Sequence, residues 1–183
     1  KGVLLTHENV VRLLYNEENL FDFTENDVWS LFHAYTFDFS VWEMYGALLY
    51  GGKLVIIPPT HTTDPDLLTT MLASEGVTVL NQTPSSFTAI QEHLLNSDKE
   101  LQVRYLIFGG EALNPKVLEP WMQAYPNCKM INMYGITETT VHTTYKEITA
   151  KEIELGQSNI GVPLPTVGTV LLDWNQQPVP TGV

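Results

Sequence analysis

The sequence is poor in cysteine and in long apolar runs, and both shortages exclude classes of protein. The single cysteine, Cys128, leaves no internal disulfide and no paired thiolate ligands for a metal, so we expect a reducing, cytoplasmic location. No apolar run approaches the roughly 20 residues that a membrane-spanning helix needs. We therefore expect no membrane partner.

Basic residues are also scarce. The chain has nine Lys and Arg against 21 Asp and Glu, which gives a formal net charge of −12 at pH 7. Such a charge repels the phosphates of nucleic acids and anionic lipid surfaces. We therefore expect no nucleic-acid partner, and we expect small molecules and other proteins instead.

Apolar residues, by contrast, are plentiful, and strand and helix signals alternate along residues 1–159. The 183 residues are 44% hydrophobic, which is enough for the core of one domain. Helix starts are indicated by N-cap residues at Thr6, Asp64, Thr83 and Asn114. Buried strands are predicted at KLVIIPP, VTVL, VRYLIF and CKMINMY. This order predicts an α/β fold, a mostly parallel sheet with helices on both faces.

Two further stretches complete the pattern. The aromatic stretch VWSLFHAYTFDF is predicted to be a strand that ends at Asp38. Ser40 and Glu43 have the spacing of a capping box, which predicts a helix from Val41 to the glycine pair 51–52. Residues 160–183 change to short β segments with Pro and Gly turns, so we expect a β-rich subdomain to begin there.

Sheets of this kind bind ligands in the crevice beyond the carboxyl ends of their strands. That rule selects residues from four places in the sequence, which are Asp38, Asn81, the turn 109–111 and the segment 134–140. Threonine hydroxyls and glycine backbone can approach phosphate oxygens, and the Glu138 carboxylate is a ligand type that Mg²⁺ takes. A site for phosphate and metal is therefore plausible at this edge.

Each of these residues also has a purely structural interpretation. Asp38 could cap the following helix, where the dipole favours negative charge, or it could pair with a cationic ligand. The threonine-rich segment could be an ordinary polar turn, and His142 could be an ordinary histidine. The apolar residues of the helix after Asp38 are core residues by pattern, with Trp42 as the exception because it lies one turn past Asp38. The other four histidines show no metal-binding spacing.

Five motifs occur in the order and approximate spacing of one known family. They are FDFSVWEMYGALLYGGKLVIIP, VTVLNQTPSSF, LIFGGEAL, INMYGITETTVHTTY and NIGVPLPTVGTVLLDWNQQPVP. The chain resembles amino-acid adenylation domains of nonribosomal peptide synthetases, members of the adenylate-forming superfamily. The resemblance implies the large N-terminal subdomain of that fold, an α/β core over 1–159 and the start of a β-rich subdomain over 160–183. Ile136 departs from the pattern, because many relatives carry proline there.

The resemblance also implies that residues 1–183 are part of an adenylation domain. Lys1 and Gly2 would be what remains of the phosphate loop, and the ribose-binding aspartate and the C-terminal catalytic lysine would lie beyond the end. We therefore expect this chain by itself to be inactive. A complete synthetase would add carrier-protein and condensation domains, and in some cases a small accessory protein.

The resemblance implies that the complete domain activates an amino acid with ATP and Mg²⁺ as an aminoacyl adenylate, which would then pass to a carrier phosphopantetheine. Asp38 would pair with the substrate ammonium, Thr137 would contact the α-phosphate and Glu138 would coordinate Mg²⁺, so that Thr137 and Glu138 are the candidate catalytic residues. The nucleotide would be bordered by Gly110, Glu111, Ala112, Asn132, Tyr134, Gly135 and Thr137.

The family's side-chain pocket also has recognisable positions. Here they are occupied by Asp38, Phe39, Trp42, Asn81, Ile107, Gly109, Met133, Val141 and His142. Read in order, this set resembles the lining of threonine-activating members. The chemistry agrees, since the uncharged polar side chains of Asn81 and His142 could hydrogen-bond a substrate hydroxyl within a small apolar volume. Two alternatives stay open: another adenylate-forming enzyme, such as an acyl or aryl-acid ligase, and a non-catalytic fragment that keeps part of the crevice.

Overall fold

A computed structural model describes residues 2–180, so Lys1, predicted to belong to the phosphate loop, lies outside the described residues. Within residues 2–180 seven strands form one sheet. The strands are β1 (Val28–Leu31), β2 (Lys53–Ile56), β3 (Val79–Gln82), β4 (Tyr105–Phe108), β5 (Lys129–Tyr134), β6 (Thr144–Ile148) and β7 (Val162–Pro163).

The strand order across the sheet is β2-β1-β3-β4-β5-β6-β7. The first five strands run parallel, and β6 and β7 are antiparallel to their neighbours. The predicted, mostly parallel sheet is therefore confirmed. Because β1 to β5 are parallel, their carboxyl ends lie along one edge, where a ligand crevice is expected.

Helices cover both faces of the sheet, as predicted. They are α1 (His7–Leu14), α2 (Phe39–Tyr50), α3 (Pro59–Thr62), α4 (Pro65–Glu75), α5 (Pro84–Asn96), α6 (Glu119–Ala124) and α7 (Ala150–Leu155). The predicted caps are confirmed, since the side chains of Thr6, Asp64 and Thr83 accept hydrogen bonds from the first turns of α1, α4 and α5. Asn114 likewise caps the 3₁₀ turn that leads into α6.

Alternation along the strands divides the core into two layers. In β4, Tyr105 and Ile107 belong to the cluster that includes residues of α1 and α2. Leu106 and Phe108 belong to the other cluster, with residues of α4, α5, α6 and α7. Successive side chains point to opposite faces of a strand, so this alternation places one helical layer on each side of the sheet.

The prediction for the aromatic stretch is confirmed at its start, Val28–Leu31, but was wrong for the residues after Leu31. Strand β1 ends at Leu31, and Asp38 lies at the end of a loop, directly before α2. The predicted capping box was wrong as well, because α2 begins at Phe39 and the fully buried Glu43 carboxylate accepts hydrogen bonds from the backbone amides of Phe32 (3.2 Å) and His33 (3.1 Å). The Glu43 side chain thus turns the chain out of the sheet after β1.

Strand β2 was predicted to be buried, but it forms an edge of the sheet, and Ile56 on it is exposed. At the other edge, Val162–Pro163 still pairs with β6, and beyond it a single bridge joins Leu172 to Pro178. The boundary of a β-rich subdomain at residue 160 stays a prediction. Among residues 2–180, no helix combines the length and the apolar character needed to cross a membrane.

Candidate functional site

A cavity of about 310 Å³ opens beyond the carboxyl ends of β4 and β5. Its lining combines the turn after β4, the end of β5 and a segment preceding β7. The lining residues are Gly110, Glu111, Ala112, Asn132, Met133, Tyr134, Gly135, Ile136, Ser158 and Ile160. Six of the seven residues predicted to border a nucleotide therefore lie in one cavity, and the seventh, Thr137, directly follows Ile136 in the chain.

Strand β5 supplies an amide and an aromatic ring to this cavity. The Asn132 side chain is buried, and its Nδ2 donates to the Asn159 carbonyl oxygen at 2.8 Å, while its Oδ1 has no partner among residues 2–180. The Tyr134 ring is 48% exposed, so its face is available for stacking. After it, Gly135 is needed for space, since a Cβ there would lie 2.1 Å from the Val141 carbonyl oxygen.

The Glu111 carboxylate fastens the turn after β4 to helix α5. Its Oε1 accepts from the Ser85 hydroxyl at 2.8 Å, and its Oε2 accepts from the Ser85 backbone amide at 3.0 Å. Negative charge is favourable at the N-terminus of a helix. Glu111 lines the cavity, but both carboxylate oxygens are engaged with Ser85, so the side chain fixes the shape of the turn.

Asp38 contacts a residue that is remote in the sequence. Its Oδ2 accepts a hydrogen bond from the Thr137 hydroxyl at 2.9 Å, while the side chain makes no capping bond to α2 within the described residues. The structural interpretation of Asp38 as a helix cap is therefore wrong. The fold instead joins the residue predicted to pair with an ammonium to the residue predicted to contact a phosphate.

Thr137 begins a short 3₁₀ turn that ends in strained backbone. The turn spans Thr137–Thr139, with Glu138 exposed at its centre. Thr140 and Val141 follow with φ of 66° and 62°, and the His142 amide donates to the Thr140 carbonyl oxygen at 2.7 Å. Positive φ is unfavourable for a β-branched residue such as Val141. The segment between Gly135 and β6 is thus a tight, specified conformation rather than a plain polar loop.

The predicted side-chain pocket forms a contiguous layer behind Asp38. Trp42 Nε1 donates to Asn81 Oδ1 at 3.0 Å. The His142 ring lies edge-on to Phe39 and Trp42, with ring centroids 5.1 and 5.0 Å apart. The remaining positions complete the layer: Gly109 faces the same His142 ring, while Ile107, Met133 and Val141 belong to the buried cluster that contains Phe39 and Trp42.

Two polar side chains in this layer keep unused hydrogen-bonding atoms. Within the described residues, neither Asn81 Nδ2 nor either ring nitrogen of His142 has a partner, although both residues are at most 2% exposed. Burial, with a smaller contribution from the charge of nearby His33, lowers the pKa of His142 to about 3. The ring is therefore neutral at physiological pH, able to donate through one nitrogen and accept through the other.

The lowered pKa of His142 predicts that the stability of the fold depends on pH. Because the unfolded state takes up a proton below pH 6.5 and the folded state resists it down to about pH 3, stability falls as the pH decreases through this interval. The loss should reach about 2 kcal/mol at pH 5. Replacing His142 by leucine should remove this part of the loss of stability at low pH. Thermal unfolding of the parent and variant complete domains between about pH 7.5 and 5 would measure the difference.

The matched control is His7→Leu, since His7 is exposed in the first turn of α1. That variant should keep the acid sensitivity of the parent. If His142→Leu also kept it, the buried ring would not be the source of the pH dependence.

One buried pair near the site was not recognised from the sequence. His33 Nδ1 lies 3.1 Å from the Glu43 carboxylate, and the His33 ring stacks on Phe39 at 4.5 Å. Burial raises the pKa of Glu43, although hydrogen bonds from His33 and Phe32 act in the opposite direction. The available signal was a histidine and a glutamate in an aromatic-rich stretch, and their ten-residue separation resembled no known local motif.

The described residues contain no group of three or more His, Cys, Asp or Glu side chains placed to hold a metal ion. Among residues 2–180, a Mg²⁺ site built from three or more such side chains is thus not found. Glu138 still fits the other common arrangement, in which one or two carboxylates and several phosphate oxygens share the ion.

A family model described as "AMP-binding enzyme" matches residues 1–183. The chain belongs to the AMP-binding enzyme family. The predicted family and its α/β fold are thus confirmed, and the cavity lies at the strand ends where sheets of this kind bind their ligands.

Curated relatives of this AMP-binding chain include a nonribosomal peptide synthase. The chain is 47% identical over 189 residues to the dimodular nonribosomal peptide synthase of Bacillus subtilis (strain 168), and 44% identical over 185 residues to syringomycin synthase SyrB1 of Pseudomonas syringae pv. syringae. Both matches cover 100% of this chain but only 8% and 30% of the relatives. The chain therefore spans less than a third of these proteins.

A solved structure of the same family agrees with the fold. Holo-PA1221, described as an NRPS protein containing adenylation and PCP domains bound to a vinylsulfonamide inhibitor, superposes with a TM-score of 0.83 at 26% identity. The match covers 95% of this chain and 30% of that one.

Proposed function

We propose that this chain is part of an adenylation domain that activates an amino acid with ATP in nonribosomal peptide synthesis. One observation carries the proposal: the hydrogen bond between Asp38 and Thr137 joins the apolar layer to the segment that lines the cavity. An amino acid with its ammonium at Asp38 would therefore hold its carboxylate beside a nucleotide phosphate. The peptide synthetases among its relatives support the same activity.

The reaction requires positioning more than a protein nucleophile. The substrate carboxylate attacks the α-phosphorus of ATP, the bond to pyrophosphate breaks, and an aminoacyl adenylate forms. Tyr134 would stack on the adenine, and the Thr137 hydroxyl would donate to the α-phosphate as charge develops on its oxygens. Glu138 is the residue that would hold Mg²⁺, which neutralises phosphate charge when it is bound.

The remaining expectations follow from this activity. The aminoacyl group would pass to the phosphopantetheine of a carrier domain and then to a condensation domain, and a small accessory protein could assist. A cytoplasmic location agrees with the partly buried free thiol of Cys128.

A second candidate is an acyl or aryl-acid ligase of the same family. A substrate without an amine would place no cation next to Asp38, and a carboxylate that is partly withdrawn from water is costly without one. Asp38 therefore favours the amino-acid substrate.

We further propose that the amino acid is L-threonine. If the substrate ammonium pairs with Asp38, the polar groups of the layer that remain without a hydrogen-bond partner in the described part of the chain are Asn81 Nδ2 and the ring nitrogens of His142. Both could hydrogen-bond the hydroxyl of the substrate side chain. Trp42, Met133 and Ile107 would enclose the methyl group. Valine has the same shape without the hydroxyl, so it would leave these buried groups without partners.

The test is amino-acid-dependent exchange of pyrophosphate into ATP by the complete domain. Threonine should give the highest kcat/KM, serine less because the methyl contact is lost, and valine at least about a hundredfold less. His142→Leu should narrow the gap between threonine and valine more than the matched variant Ile107→Val, which changes only apolar volume. Comparable rates for threonine and valine, or preference for an unrelated amino acid, would contradict the threonine assignment.

A further inference from the structure

Helix α1 places one cation against the segment that carries Thr137 and Glu138. The Arg12 guanidinium donates through Nη2 to the Thr139 backbone carbonyl at 3.3 Å and through Nη1 to the Thr166 hydroxyl at 3.3 Å. These acceptors are 127 and 154 residues away in the sequence. One side chain thus bridges α1, the 3₁₀ turn and the segment after β7.

The acceptor in the turn is itself the centre of a small network. The Thr139 hydroxyl donates to the Ile136 carbonyl oxygen at 3.0 Å and accepts from the Thr143 hydroxyl at 2.7 Å. It also accepts from the Ile136 backbone amide at 3.2 Å. A group that fixes the Thr139 backbone therefore fixes both ends of the turn and, with them, the direction of Thr137 and Glu138.

The second acceptor connects the turn to the sheet edge. The Leu164 amide donates to the Thr143 carbonyl oxygen at 2.8 Å, and the Leu164 side chain is buried in the cluster that also contains Leu13 and Leu14 of α1. Thr166 follows two residues later. The guanidinium thus crosses the junction of three segments, which also share apolar packing and the backbone bond from Leu164 to Thr143.

The geometry of the side chain matters here as much as its charge. Arg12 is in the last turn of α1, where any cation interacts favourably with the helix dipole. A lysine would keep that interaction and also has several N–H donors, but they all sit on one nitrogen, whereas the planar fork of arginine holds Nη1 and Nη2 apart in a fixed geometry that reaches two separate oxygen acceptors. This difference separates a general electrostatic role from a specific bridging role.

We infer that Arg12 is a positioning residue for adenylate formation, and that its bridge between Thr139 and Thr166 holds the 137–139 turn in the conformation that aligns Thr137 and Glu138. The inference rests on the proposed adenylation function. Arg12 acts through the turn, and no contact of its own with substrate is required.

The kinetic test uses the complete adenylation domain with its preferred amino acid. Arg12→Met should lower kcat for pyrophosphate exchange by about ten- to a hundredfold, because misplaced groups no longer meet the transition state. The KM for the amino acid should change less than kcat does, since the two acceptors of Arg12, Thr139 and Thr166, are not among the predicted pocket residues. Arg12→Lys should recover only part of the loss in kcat, and Thr166→Val should also lower kcat, but by less.

Lys53→Met is the matched control. Lys53 is the first residue of β2, far from the turn, and it pairs with Glu75, so this variant should leave kcat unchanged.

Backbone hydrogen exchange tests the bridge independently of activity. The amides of Thr139 and Thr140 donate within the turn, to the carbonyl oxygens of Ile136 and Thr137. Arg12→Met should accelerate their exchange about tenfold while the amides of β4 keep their protection. Unchanged exchange in the turn, or full recovery of kcat by Arg12→Lys, would overturn the inference. An inactive parent domain would reject the proposed function, and the exchange result would still decide whether Arg12 holds the turn.

Discussion

Replacing Asp38 by alanine in the complete domain is expected to lower the activation of every α-amino acid by about two to three orders of magnitude while the fold is retained. Removal of one partner of a desolvated charge pair costs about 2–5 kcal/mol. Asp38 is partly buried, and the ammonium of the substrate would be the cation that it meets. The effect should be measured as kcat/KM in amino-acid-dependent pyrophosphate exchange, with thermal unfolding in parallel.

Two variants make this result specific. Asp38→Asn keeps the side-chain size and an oxygen that can accept from Thr137, so activity as low as that of the alanine variant would identify the negative charge as the requirement. Asp64→Ala removes a true N-cap, whose carboxylate accepts from the amides of Asp66 and Leu67, and it should cost about 1 kcal/mol of stability with activity kept. If Asp38→Ala behaved like Asp64→Ala, the ammonium pairing would be wrong.

Replacing Asp27 by alanine is expected to destabilise the complete domain by about 3 kcal/mol. Asp27 is 2% exposed and directly precedes β1, so it lies at the end of the strands opposite the cavity. Its carboxylate accepts from Arg104 Nε at 2.7 Å, from the Thr78 hydroxyl at 2.7 Å and from the Thr24 amide at 2.8 Å. Alanine would leave these donors without their acceptor, and denaturant unfolding would measure the cost.

The Asp27 carboxylate also predicts a loss of stability at low pH. Burial by itself would raise the pKa of Asp27, but hydrogen bonds from Arg104, Thr24 and Thr78 outweigh it and hold the pKa below 3.8. The contribution of Asp27 to stability is therefore complete above the unfolded-state pKa and is lost as the pH falls through the lower folded-state pKa.

The matched control for Asp27→Ala is Asp22→Ala, because the Asp22 side chain is 64% exposed and also pairs with Arg104. That variant should cost less than Asp27→Ala, even though the Tyr105 hydroxyl, which also donates to Asp22, would lose this acceptor. Equal losses for the two aspartates would contradict the importance of burial.

Much of the fold could be predicted from the sequence because its signals are local. The short apolar runs of β3, β4 and β5 and the caps Thr6, Asp64 and Thr83 act within a few residues of themselves. The alternation of strand and helix then implied the parallel sheet, and the strand-end rule indicated the turns that line the cavity.

The errors lie where a distant partner decides the structure. The residues after Leu31 are aromatic and favour a strand, yet they leave the sheet because the buried Glu43 carboxylate binds the amides of Phe32 and His33. Composition alone does not indicate that a glutamate in the next helix will do this. Asp38 contacts Thr137, and Arg12 contacts Thr139 and Thr166, across about a hundred or more positions of the sequence. No local sequence pattern predicts such contacts.

The backbone between Gly135 and β6 limits how the substrate preference of this domain could be redesigned. Val141 and His142 are predicted pocket residues, but Val141 also carries a φ of 62°, and the carbonyl oxygen of Val141 leaves no space for a side chain at position 135. Exchanging one pocket side chain therefore changes the conformational preference of the whole segment, and a graft from another domain would preserve geometry best if residues 135–143 moved as one cassette.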